Sequence, residues 1–144
     1  MDLERVTAMT EELWSAFQRL IPQLTTNNPP PSREALAALI GSETSYLMIA
    51  RYPDKQAPIL GAAHLTVYPV PTGIRAIIED VIVDESARGH GIGQELVQRL
   101  LDIARERGAK GVSLTSNSKR EAANRLYQRM GFVRRETNAY YYKF

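Results

Sequence analysis

Val81-Ile82-Val83-Asp84-Glu85-Ser86-Ala87-Arg88-Gly89-His90-Gly91-Ile92-Gly93 is the stretch on which the fold turns. Its first residues belong to a run over 74–84 (IRAIIEDVIVD), rich in β-branched side chains, that reads as a buried strand. The glycines then break the strand. From Ile92 the apolar residues take helical spacing: Ile92, Leu96, Leu100 and Ile103 share a face, with Val97 and Ala104 beside them, until Gly108 ends the pattern. Glycine has no Cβ and tolerates φ > 0, so such a turn lets backbone approach a ligand closely. The first turn of the helix adds unpaired N–H groups and the positive end of the helix dipole. Together these suit phosphate oxygens.

Working outward, residues 44–51 (TSYLMIAR) and 58–68 (PILGAAHLTVY) read as two more strands. The turns YPDK and PVPTG are too short for crossovers, so the three strands form an antiparallel meander. Residues 3–7 could be a short first strand. Thr10 then caps a helix carrying Glu11 and Glu12 in its first turn and Leu13, Phe17, Leu20, Ile21 and Leu24 at helical spacing. TTNNPPP, residues 25–31, breaks that helix. Ser32 caps a second, with Leu36, Leu39 and Ile40 on its apolar side and Gly41 at its end. Downstream, residues 111–115 (GVSLT) read as a short strand, and Ser118-Lys119-Arg120-Glu121 fits a capping box. Ala122, Ala123, Leu126, Tyr127 and Met130 continue that helix to Gly131, and 132–135 and 139–144 read as terminal strands. The expected architecture is α+β: a central, mixed but mostly antiparallel, twisted sheet of 6–7 strands flanked by four helices, one domain over residues 1–144.

Composition narrows the chemistry. With no Cys among 144 residues, disulfides, Cys-based zinc sites and thiol nucleophiles are excluded. With only His64 and His90, a three-His metal site is excluded too, and no metal is expected. No apolar run reaches the roughly 20 residues that span a bilayer. The opening MDLERVTAMTEELW carries acids where a signal peptide needs bases, so a cytoplasmic protein without membrane association is expected. Charge is uneven: residues 88–135 hold eleven Lys/Arg against four Asp/Glu, net +7, while the remainder carries net −5. A solvated basic helix surface would explain this by itself; a site for a phosphorylated ligand explains it together with the glycine loop. Few aromatics interleave with the bases before Tyr140, so nucleic acid is not expected as a partner.

The dinucleotide pattern G-x-G-x-x-G fails at Gln94 or Leu96, and the Walker pattern fails because no Gly-Lys-Ser/Thr occurs. The spacing that does occur is Arg88-x-x-Gly91-x-Gly93. With Ala123-Asn124-Arg125-Leu126-Tyr127-Gln128-Arg129-Met130-Gly131-Phe132 further on, it resembles the GNAT superfamily of N-acetyltransferases, most strongly over residues 74–133. The resemblance implies acetyl-CoA as co-substrate. Its pyrophosphate would lie on Arg88 and the backbone N–H groups of Gly89, His90, Gly91, Ile92 and Gly93, with the His90 side chain uninvolved. The segment Val81, Ile82, Val83 would pair with the pantetheine arm through its backbone, and an amide near Val81 would polarise the thioester carbonyl.

By the same resemblance Tyr127 is the general acid for the departing thiolate, although helical spacing alone would make it a core aromatic. Glu79 is the base for the incoming amine, directly or through water. His64, Asp80 or no dedicated base are its alternatives, and a bulge in the strand would decide which face Asp80 takes. Asn124 and Asn117 could bond the pantetheine arm, or serve only as cap and turn residues. Many members have Asn seven residues before the Tyr; here that residue is Arg120, which could hold a phosphate. The expected reaction is acetyl transfer to a primary amine, on a small molecule or a peptide, by direct attack in a ternary complex within a monomer or homodimer. A CoA-sensing binding module is the alternative.

Overall fold

Alternation sets the sheet. In the computed structural model, which covers Met1–Phe144, strands β1 (Asp2–Arg5), β2 (Ser45–Arg51), β3 (Ile59–Val70) and β4 (Gly73–Val83) form an antiparallel sheet in the order β1-β2-β3-β4. The middle strand β2 is buried on both faces. Tyr46, Met48 and Ala50 join one core with Ala63, Leu65, Ala76, Ile78 and the apolar stripe of helix α3 (Ile92–Glu106). Leu47 and Ile49 join the other, with Leu13, Phe17, Leu20 and Leu36 of helices α1 (Glu11–Leu24) and α2 (Arg33–Gly41). Thr10 and Ser32 cap α1 and α2, each hydroxyl accepting an N–H three residues on, at 3.1 Å. The proline loop between these helices is held to α1 by Trp14 Nε1 and Gln18 Nε2, which both donate to the Pro31 carbonyl.

Two breaks in register place the site. Arg51 pairs with Ile59 although Ala50 pairs with Gly61, which leaves Leu60 as an extra residue. On β4, Ile82 pairs with Ala62 and Glu79 with His64, so Asp80 and Val81 together oppose Ala63. This is a β-bulge, and Asp80 adopts φ +51 within it. The bulge shifts the alternation by one: Ala76 and Ile78 face α3 before it, Val81 and Val83 after it.

The sheet is smaller than the 6–7 strands expected from sequence. Residues 111–115 contribute one parallel bridge, Ser113 to Ile77, closed by Ile78 N–H to Ser113 O and Ser113 N–H to Ala76 O, both 3.0 Å. The ladder stops there because the bulge redirects β4 just beyond it. Residues 132–135 and 139–144 are not strands. Residues 111–115 form only that one bridge, and Tyr140, Tyr141 and Tyr142 in succession supply no face to bury; all three are exposed. The capping box at Ser118 also does not form. Helix α4 (Glu121–Arg129) starts two residues later than Ser118 would set it, with Arg120 at the cap, because the Asn117 carboxamide takes the Lys119 N–H and makes a turn first. Gly131, at φ +97, ends α4 as expected. No helix is long and apolar enough to cross a membrane.

Candidate active site

The free edge of β4 beyond Ser113 is the centre of the site. Val81 O and Val83 O face away from β3, and each meets an arginine: Arg120 Nη2 donates to Val81 O at 3.3 Å, and Arg88 Nε to Val83 O at 3.2 Å. Exposed backbone polar groups on a sheet edge are the groups an extended, amide-bearing ligand can pair with.

At the end of β4 the chain makes one 3₁₀ turn, Glu85–Ala87, capped by Asp84, and enters the glycine loop. Gly91 is the N-cap of α3 at φ +79, and nothing lies within 4 Å of where its Cβ would stand. Having no side chain, it caps nothing, and the N–H groups of Ile92, Gly93 and Gln94 find no acceptor in the protein. An open, donor-rich helix start beside Arg88 fits an anionic phosphate group. His90 contributes more than backbone: its ring lies 4.8 Å from that of Tyr52 and its Nδ1 bonds the Ala87 carbonyl at 3.1 Å. The ring contact braces the loop against the β2–β3 turn, and Tyr52 stands far from His90 in sequence.

The loop is anchored from the other side of the sheet. Asp84 is only 6% exposed. It accepts from Ser86 N–H and Oγ, from Gln23 Nε2 and from the Arg19 guanidinium, and Gln23 Oε1 takes the Glu85 N–H. Arg19 also reaches the Ile59 carbonyl. The Ser86 hydroxyl above all, then its backbone N–H, Gln23 and the charge of Arg19, overcome burial and hold the Asp84 carboxyl down to about 2. The sequence carries no signal for this network, because Arg19 and Gln23 on α1 lie 65 and 61 residues from Asp84.

Glu79 and Asp80 are both exposed at the bulge. Burial, and then the charge of Asp80, push the Glu79 carboxyl above the ordinary carboxylate range. His64 lies across from Glu79 in register, half-buried, and its Nε2 is buried with no hydrogen-bond partner. Burial pushes its pKa down, against the pull of Asp80. The structure therefore brings all three sequence candidates for the base together.

Tyr127 is buried on α4 in the α3-side core, its ring edge-on to Phe132 at 5.7 Å. Burial raises its pKa, opposed by the charge and hydrogen bonding of Arg120. Asn117 and Asn124 bond each other, Asn124 Nδ2 donating to the Asn117 carbonyl at 3.0 Å. Tyr127 and Asn124 line a cleft of about 890 Å³ with Ser116, whose hydroxyl is buried without a partner. Ser116 carried no signal in the sequence, since the irregular course of its segment is what buries it.

A strand edge that pairs with no further strand, a phosphate-ready helix start, and an acid and a base candidate flanking Val81 are the parts that thioester acyl transfer needs. Residues 6–132 match the acetyltransferase (GNAT) family. A curated relative, glucosamine 6-phosphate N-acetyltransferase of Trypanosoma brucei brucei, is 41% identical over 137 residues, which is 92% of this chain and 90% of the relative. The crystal structure of a Trypanosoma brucei acetyltransferase superposes with a TM-score of 0.76 at 29% identity, covering 99% of this chain and 100% of that one. An aminoglycoside acetyltransferase from an uncultured soil metagenomic sample, solved with sisomicin, shares the fold at a TM-score of 0.82 and 20% identity, over 99% of this chain and 95% of that one. The chain belongs to the GNAT family and is an acetyl-CoA-dependent N-acetyltransferase.

Proposed function

We propose that residues 1–144 act as one acetyltransferase domain that moves the acetyl group of acetyl-CoA to the primary amine of a small amino-sugar phosphate, by direct attack in a ternary complex. The β4 bulge is the observation that carries the mechanism. It ends pairing with Ser113 just before Val81 and leaves the strand edge open between Glu79 and Tyr127. The open N–H groups at the start of α3, with Arg88, hold the pyrophosphate. The Val81–Val83 edge pairs with the pantetheine amides and displaces Arg88 from the Val83 carbonyl, while Arg120 stays on Val81 O; Asn117 and Asn124 lie along the same arm. The Val81 amide faces the thioester carbonyl and stabilises the charge that develops there. Glu79 takes the proton of the amine, and Tyr127 gives one to sulfur. The chain has no Cys to carry an acyl group, which supports direct attack.

The acceptor class rests on the Trypanosoma brucei brucei relative, which matches nearly the whole of this chain. A panel of glucosamine 6-phosphate, glucosamine, an aminoglycoside and a short peptide, each with acetyl-CoA and followed by thiol release, tests it. The expected result is the highest kcat/KM for glucosamine 6-phosphate, with intersecting initial-velocity patterns. A higher kcat/KM for the peptide or the aminoglycoside overturns the acceptor assignment. Acetyl-CoA binding with no thiol release from any amine overturns transfer in favour of a CoA-binding module.

A further inference from the structure

Arg120 stands where many family members have Asn, and it is the cap residue of α4 yet caps nothing with its side chain. Its guanidinium has no carboxylate within 4 Å, unlike those of Arg19, Arg33 and Arg51. Instead Nη2 is fixed on Val81 O at 3.3 Å, on the strand edge that receives the thioester. Val81 and Tyr127 pack in the same core, and Tyr127 stands two turns along α4 from Arg120, so the anchored cation and the phenol share one side of the helix. We propose that Arg120 is a positioning residue for the leaving-group step: held by Val81, it orients the Tyr127 phenol and stabilises the phenolate left after the proton moves to sulfur. This rests on Tyr127 being the general acid.

The amine nitrogen bonds to the thioester carbonyl carbon and the C–S bond breaks, its electron pair going to sulfur. Sulfur takes the phenolic proton. Glu79 or water takes the proton from nitrogen, and the phenolate is reprotonated from solvent. A free phenol titrates near 10 and a thiol near 8.5, so transfer from Tyr127 to the thiolate is already uphill. Burial makes the phenolate costlier still, and a neighbouring cation offsets that cost. Arg120 is the charged group acting on the hydroxyl. The neighbouring α3 and 112–116 segment supply Leu101, Val112, Leu114 and Ser116 to the cleft wall, which are uncharged, while the tail brings Arg134 and Arg135 to the same cleft. Arg cannot lose its proton at working pH, so the cation persists through the cycle.

The test uses Arg120→Gln, Arg120→Lys, Tyr127→Phe and the Arg120→Gln/Tyr127→Phe pair. Each is assayed with acetyl-CoA and with S-acetyl-N-acetylcysteamine, a thioester without phosphates. Arg120→Gln is expected to lower kcat about tenfold with both thioesters, the lower end of acid–base effects being set by residual proton transfer from the unaided phenol. The alkaline limb of its kcat–pH profile moves to higher pH, because the phenol loses the cation that eased its ionisation. Arg120→Lys recovers part of the loss, keeping charge without the fork. In the Tyr127→Phe background, Arg120→Gln adds less than about twofold, since coupled residues are non-additive. A loss confined to KM for acetyl-CoA and absent with the short thioester makes Arg120 a phosphate clamp and overturns the proposal. So does an unmoved alkaline limb, or an undiminished effect in the Tyr127→Phe background. If Tyr127→Phe turns over normally at saturation, the acid assignment falls and this proposal with it; if Tyr127→Phe is slow and Arg120→Gln is normal, this proposal alone falls.

Discussion

Glu79 and Asp80 show how one inserted residue changes the chemistry of a strand. In a regular strand they would face opposite sides of the sheet; in the bulge both are exposed, and Asp80 acts on both Glu79 and His64. A base must be deprotonated to work. A Glu79 carboxyl raised above the usual range therefore places the acid limb of the kcat/KM–pH profile above that range. Glu79→Gln should lower kcat/KM by about 10²–10⁴-fold near neutral pH. The loss should shrink as pH rises and the amine arrives already neutral. Asp80→Asn removes the second cause of the shift, so its acid limb should move toward lower pH while its plateau stays near that of the parent. A profile that keeps its acid limb in Glu79→Gln removes Glu79 from the mechanism. Of this cluster, the sequence made the residue types legible, together with the dependence on a bulge. The bulge itself was not, because a run such as IRAIIEDVIVD fits a regular strand and a bulged one equally well. The Tyr127 phenol has a matching test. Tyr127→Phe keeps the ring against Phe132 and removes only the hydroxyl, so kcat should fall about 10–1000-fold. Acetyl-CoA affinity and Tm should stay close to the parent's.

At the scale of elements, the glycine loop and α3 were legible because their signal is local: strand, glycines, then helical periodicity within a few turns. Gly91→Val tests the loop. At φ +79 a β-branched residue is strained, by about 1–2 kcal/mol, and its side chain projects into the space a phosphate needs. Calorimetry on the folded variant should show acetyl-CoA binding lost. Gly61 carried no comparable signal, because its reason lies across the fold. A Cβ there would stand 2.7 Å from Ile92 Cγ2 and 3.1 Å from Leu96 Cδ1, so the glycine lets the first turn of α3 rest on β3. Gly61→Ala should cost about 1–3 kcal/mol of stability by overpacking, read as a lower Tm. It should also weaken acetyl-CoA binding, since Ile92 cannot give way without moving the start of α3. A Tm loss with unchanged affinity would separate the helix start from the loop. The terminal strands failed the same comparison. A strand that short is stable only beside a paired neighbour, which residues 111–115 do not provide.

Across the whole molecule, two cores lie on opposite faces of one sheet, and the site sits at the edge where they meet. The α3 core carries the loop and Tyr127; the α1–α2 core reaches the loop through Arg19 and Gln23. Asp84 is the joint, and its low carboxyl pKa makes the joint pH-dependent. The folded value lies below the unfolded one, so the stabilisation is present above the unfolded carboxyl value near 4. It fades as pH falls toward about 2, where the folded form takes up its proton. Arg19 is 43% exposed on its side chain, so solvent screens its share, and the network contributes on the order of 1–2 kcal/mol. Asp84→Asn should therefore lower Tm at pH 7, and the difference from the parent should close as pH is lowered from 4 to 2. Because the same carboxylate caps the 3₁₀ turn that leads into the glycine loop, the variant should also bind acetyl-CoA more weakly at pH 7. Arg19→Leu should reproduce part of the Tm loss while leaving the Ser86 bonds that dominate the shift, so its Tm deficit should be smaller and close over the same pH range. A Tm difference that stays constant from pH 7 to pH 2 in Asp84→Asn would show that packing, rather than the charge on Asp84, joins the two cores.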